Sequence, residues 1–216
     1  MLDLFWMYSD TIMPLICFLI LVGVKQLHRQ EKLLLVYFVG CVILFGISNL
    51  MADKGTNNMF LYHLFSLFEI LIVLFYAIDL FNDKRVHVFL RAVMVVYSIY
   101  WTVNIWLWEP LDQFNSNSAS IACLVILIVC GLFFLSLSAK KELLYFQKLP
   151  QFWVGTAFLF YCACSIPVLL AYKYRDLIFY DFNISTAWRI QVVANCIKFV
   201  LLSYASLCSY KYQGGS

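Results

Sequence analysis

Two ionisable side chains of opposite sign stand in the middle of otherwise apolar stretches. Glu69 lies within MFLYHLFSLFEILIVLFYAIDLF (59–81), and Lys198 within TAWRIQVVANCIKFVLLSYASLC (186–208). A carboxylate and an ammonium at mid-membrane depth can relay a proton, anchor an ion or a charged ligand, or pair and lock two helices. The lysine amine can also condense with an aldehyde to a Schiff base. Each charge costs roughly 2.5–3.5 kcal/mol at the centre of a membrane helix on insertion scales, so such groups face a protein interior and take partners.

Helical phase gathers further polar groups around the pair. At about 100° per residue, positions i, i+3, i+4 and i+7 share a face. Tyr62, Ser66, Glu69 and Tyr76 share one in the third apolar stretch, and Gln191, Asn195, Lys198 and Ser206 share one in the seventh. Tyr97, Trp101, Asn104 and Trp108 line up in the fourth, Tyr161 and Ser165 fall together in the sixth, and Ser48 and Asn49 close the second. Lipid cannot satisfy these groups, so their faces are expected to turn inward. The expected ligand site or intramembrane ion pair comprises Glu69, Lys198, Asn195, Tyr62, Ser66, Gln191, Asn104, Trp101 and Tyr161. It is read as a cavity in the outer half of the bundle, floored by Glu69 and Lys198. The competing reading is structural: interhelical hydrogen bonds of about 0.6 kcal/mol each, plus a salt bridge that ties the third helix to the seventh. No catalytic residue and no metal ligand is nominated.

The elements that carry these residues follow from composition. Of 216 residues, 64% are hydrophobic and 12% charged, and the mean hydropathy is +0.86. Soluble domains run at about 45–50% apolar and 25% charged, so the chain reads as an integral membrane protein that is all α-helix. A span needs about 20 apolar residues. Seven fit, at 4–24, 33–52, 59–81, 86–108, 119–138, 152–172 and 186–208, in a single domain over 1–213. Residues 214–216, Gly-Gly-Ser, read as a linker remnant. Residues 1–10 lack the basic start of a signal peptide, so the first span is expected to be retained. The connections are short, which leaves no room for a soluble catalytic or nucleic-acid-binding domain. The eight cysteines all fall within apolar spans, which argues for packing thiols rather than a disulfide framework. Neither the cysteines nor the histidines show metal-ligand spacing, and no cofactor is expected.

Basic residues crowd one side of the expected layout. Lys25, Arg29, Lys32, Lys84, Arg85, Arg91, Lys140, Lys141, Lys148 and Lys211 fall there, against Lys54, Lys173, Arg175 and Arg189 on the other. The positive-inside rule then predicts the amino terminus outside and the carboxyl terminus cytoplasmic. Trp6, Trp106, Trp108, Trp153 and Trp188 fall near span ends, as an aromatic belt does. Pro167 interrupts the sixth span and predicts a kink, read mainly as static. No inverted repeat is visible, which weighs against the common transporter designs.

Three segments carry a resemblance. YHLFSLFEILIVLFY (62–76), LPQFWVGTAFLFY (149–161) and W-R-I-x-x-x-x-N-x-I-K-x-x-L-L (188–202) resemble a family of small bacterial seven-helix membrane proteins of uncharacterised function. The resemblance implies a multi-pass protein of a bacterial inner membrane and adds weight to Glu69, Trp153, Tyr161, Asn195 and Lys198. It implies no chemistry. A fainter likeness is to the retinal-binding rhodopsins, which pair a lysine midway along the seventh helix with a carboxylate midway along the third. The chain departs from them in lacking an Arg-Tyr-x-x-Trp pattern in the third span and in carrying Ala194 four residues before the lysine.

The sequence therefore reads as a non-enzymatic receptor or sensor. It would bind a small or lipid-like ligand in the outer half and signal to a partner through cytoplasmic loops, with residues 139–151 as the docking surface. Its other expected partner is the lipid bilayer, and nucleic acid is not expected. The alternatives are a proton- or ion-coupled transporter or channel using Glu69 and Lys198, and a Schiff-base protein on Lys198. A lipid-modifying enzyme ranks lowest, since neither Asp79 nor His63 is spaced to serve as a second acid or base beside Glu69.

Overall fold

The structure, a computed structural model, describes residues 2–24, 27–81, 83–138, 143–174 and 184–213. These form seven α-helices and, among the described residues, no strand. The helices are α1 (Leu2–Val22), α2 (Arg29–Asp53), α3 (Met59–Ile78), α4 (Lys84–Leu107), α5 (Ser116–Ser138), α6 (Pro150–Lys173) and α7 (Ile184–Gln213). A short 3-10 turn, Leu143–Lys148, precedes α6. Six helices are long and apolar enough to cross a bilayer, and α1 adds a shorter apolar stretch at Tyr8–Val22. The chain is thus an all-α, multi-pass membrane protein, and the expected spans match the helices to within a few residues at each end. Of the expected docking surface at 139–151, residues 139–142 lie outside the described residues.

Local chemistry sets the helix limits. The Asp83 carboxylate accepts a hydrogen bond from the Arg85 N–H at 2.8 Å and caps α4. Glu109 accepts from the Asn117 N–H at 2.7 Å, so a buried carboxylate sits on the positive end of α5. Pro150 opens α6, where its missing N–H costs nothing. Gly55, at φ +67°, ends the turn after α2 in a left-handed conformation that only glycine adopts cheaply.

Consecutive helices run antiparallel, and neighbours in space close a ring in the order α1, α2, α3, α5, α6, α7 and back to α1. α4 lies outside this ring, against α3 and α5, and is the least buried of the spans. Phe38, Ile70, Leu74, Ile126, Phe199 and Leu202 are fully buried along the ring's interior. Val36, Ile43, Val88, Val95, Ile99, Leu124, Ile128 and Leu135 form the outward apolar surface that lipid covers. Lipid tails solvate apolar side chains as well as protein does, so close packing rather than water exclusion holds such a bundle. Gly40 shows how close: a Cβ there would stand 2.3 Å from the Phe68 ring, so α2 and α3 touch across a glycine.

α6 continues through Pro167, whose ring is exposed on the bundle's outer surface. α1 contains a second internal proline, Pro14. Its ring removes the N–H that would bond the Asp10 carbonyl one turn earlier. The residues just inside both prolines, on α1 and α6, belong to the site described next.

Candidate functional site

Glu69 and Lys198 meet. Lys198 Nζ donates to Glu69 Oε1 at 2.9 Å, with the lysine fully buried and the glutamate nearly so. The Tyr37 hydroxyl donates to the same oxygen at 2.6 Å. α2, α3 and α7 thus converge on one atom. The ammonium also lies 3.7 Å from the centre of the Tyr161 ring and 4.9 Å from that of Phe199, distances at which a ring face attracts a cation. The carboxylate is thus compensated by charge and hydrogen bond, and the ammonium by charge, hydrogen bond and π-face, as a buried ion pair requires.

The two oxygens of Glu69 face different surroundings. Oε1 takes both donors. Glu69 also lines a cavity of about 90 Å³, and among the described residues no hydrogen bond is directed to Oε2. Water needs roughly 10–15 Å³ of such space per molecule, so the cavity holds several waters or a small ligand. It lies in the half of the bundle where α1 begins. Tyr62, Ser66, Tyr161, Gln191 and Asn195 all line it, as the helical phase implied, and Phe45, Phe65 and Trp188 add aromatic walls. Lys198 does not line it, and sits behind Glu69 and Tyr161.

The polar wall is a connected set. Gln191 Nε2 donates to Ser165 Oγ at 2.9 Å and to the Tyr161 hydroxyl at 3.1 Å. Asn195 Nδ2 donates to Asp10 Oδ1 at 2.6 Å, which brings α1 to the site. Ser66 returns its proton to the His63 carbonyl at 2.9 Å. Two acceptors are left over: Gln191 Oε1 and Asn195 Oδ1 are buried with no hydrogen-bond partner among the described residues.

At the cavity mouth Phe114 packs against Tyr172 with ring centres 4.3 Å apart, and Trp188 stands edge-on to both Phe114 and Tyr62. Phe114 and Tyr172 also border a wider vestibule of about 610 Å³, where Lys173 hydrogen-bonds Asn117 beside the buried Glu109. Asn115, from the same loop as Phe114, donates to the Tyr62 carbonyl at 2.8 Å and pins that loop across α3.

Two expected site residues lie elsewhere. Asn104 donates to Glu109 Oε2 at 3.0 Å, and the Trp101 indole donates to the His63 carbonyl at 2.9 Å. Neither lines the cavity. The reason is the place of α4: its polar face meets α3 and the start of α5 rather than the ring's interior. Tyr76, on the Glu69 face of α3, likewise falls on the far side of the pair, beside a small apolar pocket.

Two residues that sequence reasoning passed over matter most. Tyr37 has one of the shortest contacts to Glu69, yet in sequence it is one aromatic among many in α2. Asp10 is the one acid within the first expected span, at 4–24. That position was the available signal.

Beyond the pair the packing is mainly apolar. Ile70, Val73, Leu74, Phe158, Phe199 and Leu202 fill the next two turns. The polar groups among them are bonded locally: Cys17 lies 3.0 Å from the Ser203 hydroxyl, and Ser206 donates to the Leu202 carbonyl at 3.0 Å. Charged groups return at the opposite end, where Arg29 pairs with Asp79 at 3.1 Å and Gln151 donates to Gln30 at 2.8 Å. Searches against protein-family models, curated proteins and solved structures gave no match.

Proposed function

We propose that the protein is a membrane receptor or sensor that binds a small ligand in the Asp10–Glu69–Asn195 cavity and reports its presence to the opposite face of a bacterial inner membrane. The observation that carries this reading is the one-sided cavity. The cavity reaches from one end to mid-depth and is closed by an ion pair backed by two turns of mainly apolar packing. A transport path needs polar groups on both sides of the pair, whereas a binding site needs them on one. The position of Lys198 favours binding over Schiff-base chemistry too, since its amine is held by Glu69 and does not line the cavity. A ligand at Glu69 Oε2 would redistribute the hydrogen bonds that join α2, α3 and α7, which gives occupancy a route to the far ends of three helices.

The thiols provide a direct test. Cys123 lines the cavity, whereas Cys130 and Cys162 are equally buried away from it. In lipid nanodiscs a small water-soluble methanethiosulfonate, read by peptide mapping, is expected to modify Cys123 well before the other two. Ala119→Phe, which fills the cavity wall, is expected to slow that reaction. Equal protection of all three thiols would show that no ligand reaches the site.

A further inference from the structure

We infer that the ligand is a small organic cation, an amine or ammonium with an apolar body, held with Asp10 as its counter-ion. This rests on the binding reading above and adds the ligand's class to it.

The charge balance of the cavity leads there. Lys198 is committed to Glu69 at 2.9 Å, so that pair is neutral as a unit. Asp10 lines the same cavity, and no described cation lies within ion-pair distance of it. Among the described residues its hydrogen bond comes from the neutral amide of Asn195. An ionised Asp10 thus has no described counter-ion inside the membrane, where charged groups rarely stand alone, and a cationic ligand would supply one.

The hydrogen-bond inventory has the same bias. Gln191 directs its amide hydrogens to Tyr161 and Ser165, Asn195 directs one to Asp10, and Ser66 gives its proton to a backbone carbonyl. Buried acceptors remain: Asn195 Oδ1 on a residue only 6% exposed and Gln191 Oε1, with the second oxygen of Glu69 facing the same cavity. An ammonium supplies up to three donors for them and no acceptor. A carboxylate or phosphate ligand would find hydroxyl donors on Tyr62 and Tyr161 but would stand against these oxygens and the Asp10 and Glu69 carboxyls.

The walls suit the same ligand. Tyr62, Phe65, Trp188 and Tyr161 present aromatic surface around the carboxylates. Ring faces attract cations, Trp most strongly, and accept an apolar body. Pro14 adds one further acceptor near Asp10, by leaving its backbone carbonyl without the usual helical N–H.

The test compares three molecules of one shape on the purified protein in nanodiscs: phenethylamine, phenethyl alcohol and phenylacetate. Binding is read by thermal shift and by quenching of tryptophan fluorescence. The amine is expected to bind about tenfold or more tightly than the alcohol, the ratio expected for a charge-assisted over a neutral hydrogen bond. Phenylacetate is expected not to bind. Asp10→Asn is expected to erase the preference of amine over alcohol, and Ala119→Phe to weaken both. Equal affinity for amine and alcohol, or tighter binding of phenylacetate, would overturn the cation assignment while leaving the cavity as a binding site. Should none of the three bind while Cys123 stays reactive, the cation assignment falls and the cavity reading stands. Should Cys123 also prove inert, both fall. The wild-type comparison needs no variant, so a poorly folding Asp10→Asn protein leaves the test intact.

Discussion

Glu69 gives one oxygen to the protein and turns the residue's other side to the cavity, and the consequences of removing its partner are correspondingly specific. Lys198→Met would leave the carboxylate buried with only the Tyr37 hydroxyl for compensation. Breaking one side of a buried pair typically costs about 3–5 kcal/mol, whereas replacing both sides by apolar groups of similar volume is often close to neutral. Lys198→Met is therefore expected to lower the thermal midpoint markedly in detergent, and Glu69→Leu with Lys198→Met to recover most of the loss. A single variant as stable as wild type would mean that the pair does not hold the bundle. At this scale the sequence was informative about residues on one helix face and less so about residues that arrive from other helices. Glu69, Ser66, Gln191 and Asn195 were legible because a charge in an apolar run is costly and phase places its neighbours. Tyr37 was not, because a tyrosine in an aromatic-rich helix is an ordinary residue until its hydroxyl is seen 2.6 Å from a carboxylate.

Elements obey a different constraint, which is how near two helix axes can come. Gly40 sits under the Phe68 ring, and Gly155 lies 3.3 Å from Phe133 and Phe134 when given a Cβ, whereas Gly131 meets nothing within 4 Å. Gly40→Ala must push α2 from α3 or turn Phe68 out of its rotamer, for which overpacking costs of about 1–3 kcal/mol are typical. The expected outcome is a clear loss of thermal stability for Gly40→Ala and none for Gly131→Ala, both followed by circular dichroism. Because Tyr37 lies one turn from Gly40, the former should also weaken the hold on Glu69 and raise the reactivity of Cys123. The number and limits of the helices were readable from apolar runs and loop residues. The peripheral place of α4 was not, since phase shows which side chains share a face but not what that face meets. That is why Asn104 and Trp101 were expected in the cavity and stand instead against Glu109 and His63.

At the scale of the whole molecule, the loops bias the chain toward one orientation. The end holding Arg29, Lys32, Lys84 and Arg85 carries the excess of basic residues, and the positive-inside rule then predicts a cavity that faces away from the cytoplasm. A reporter active only in the cytoplasm, fused after residue 213, is expected to be active, and one inserted in the turn at Gly55 is expected to be silent. The reverse result would place the mouth inside the cell. The mainly apolar half beyond Glu69 has an electrical consequence whichever way the protein faces. A membrane voltage falls mainly across the least polarisable part of its path, which here is the apolar packing of Leu74, Phe158, Phe199 and Leu202. A cation resting against Glu69 would thus feel little of the field. One forced past it would meet most of about 2.3 kcal/mol per 100 mV within two helical turns, roughly 11 Å. Such packing would act as an insulator and let a charged occupant come and go from one side without discharging the membrane.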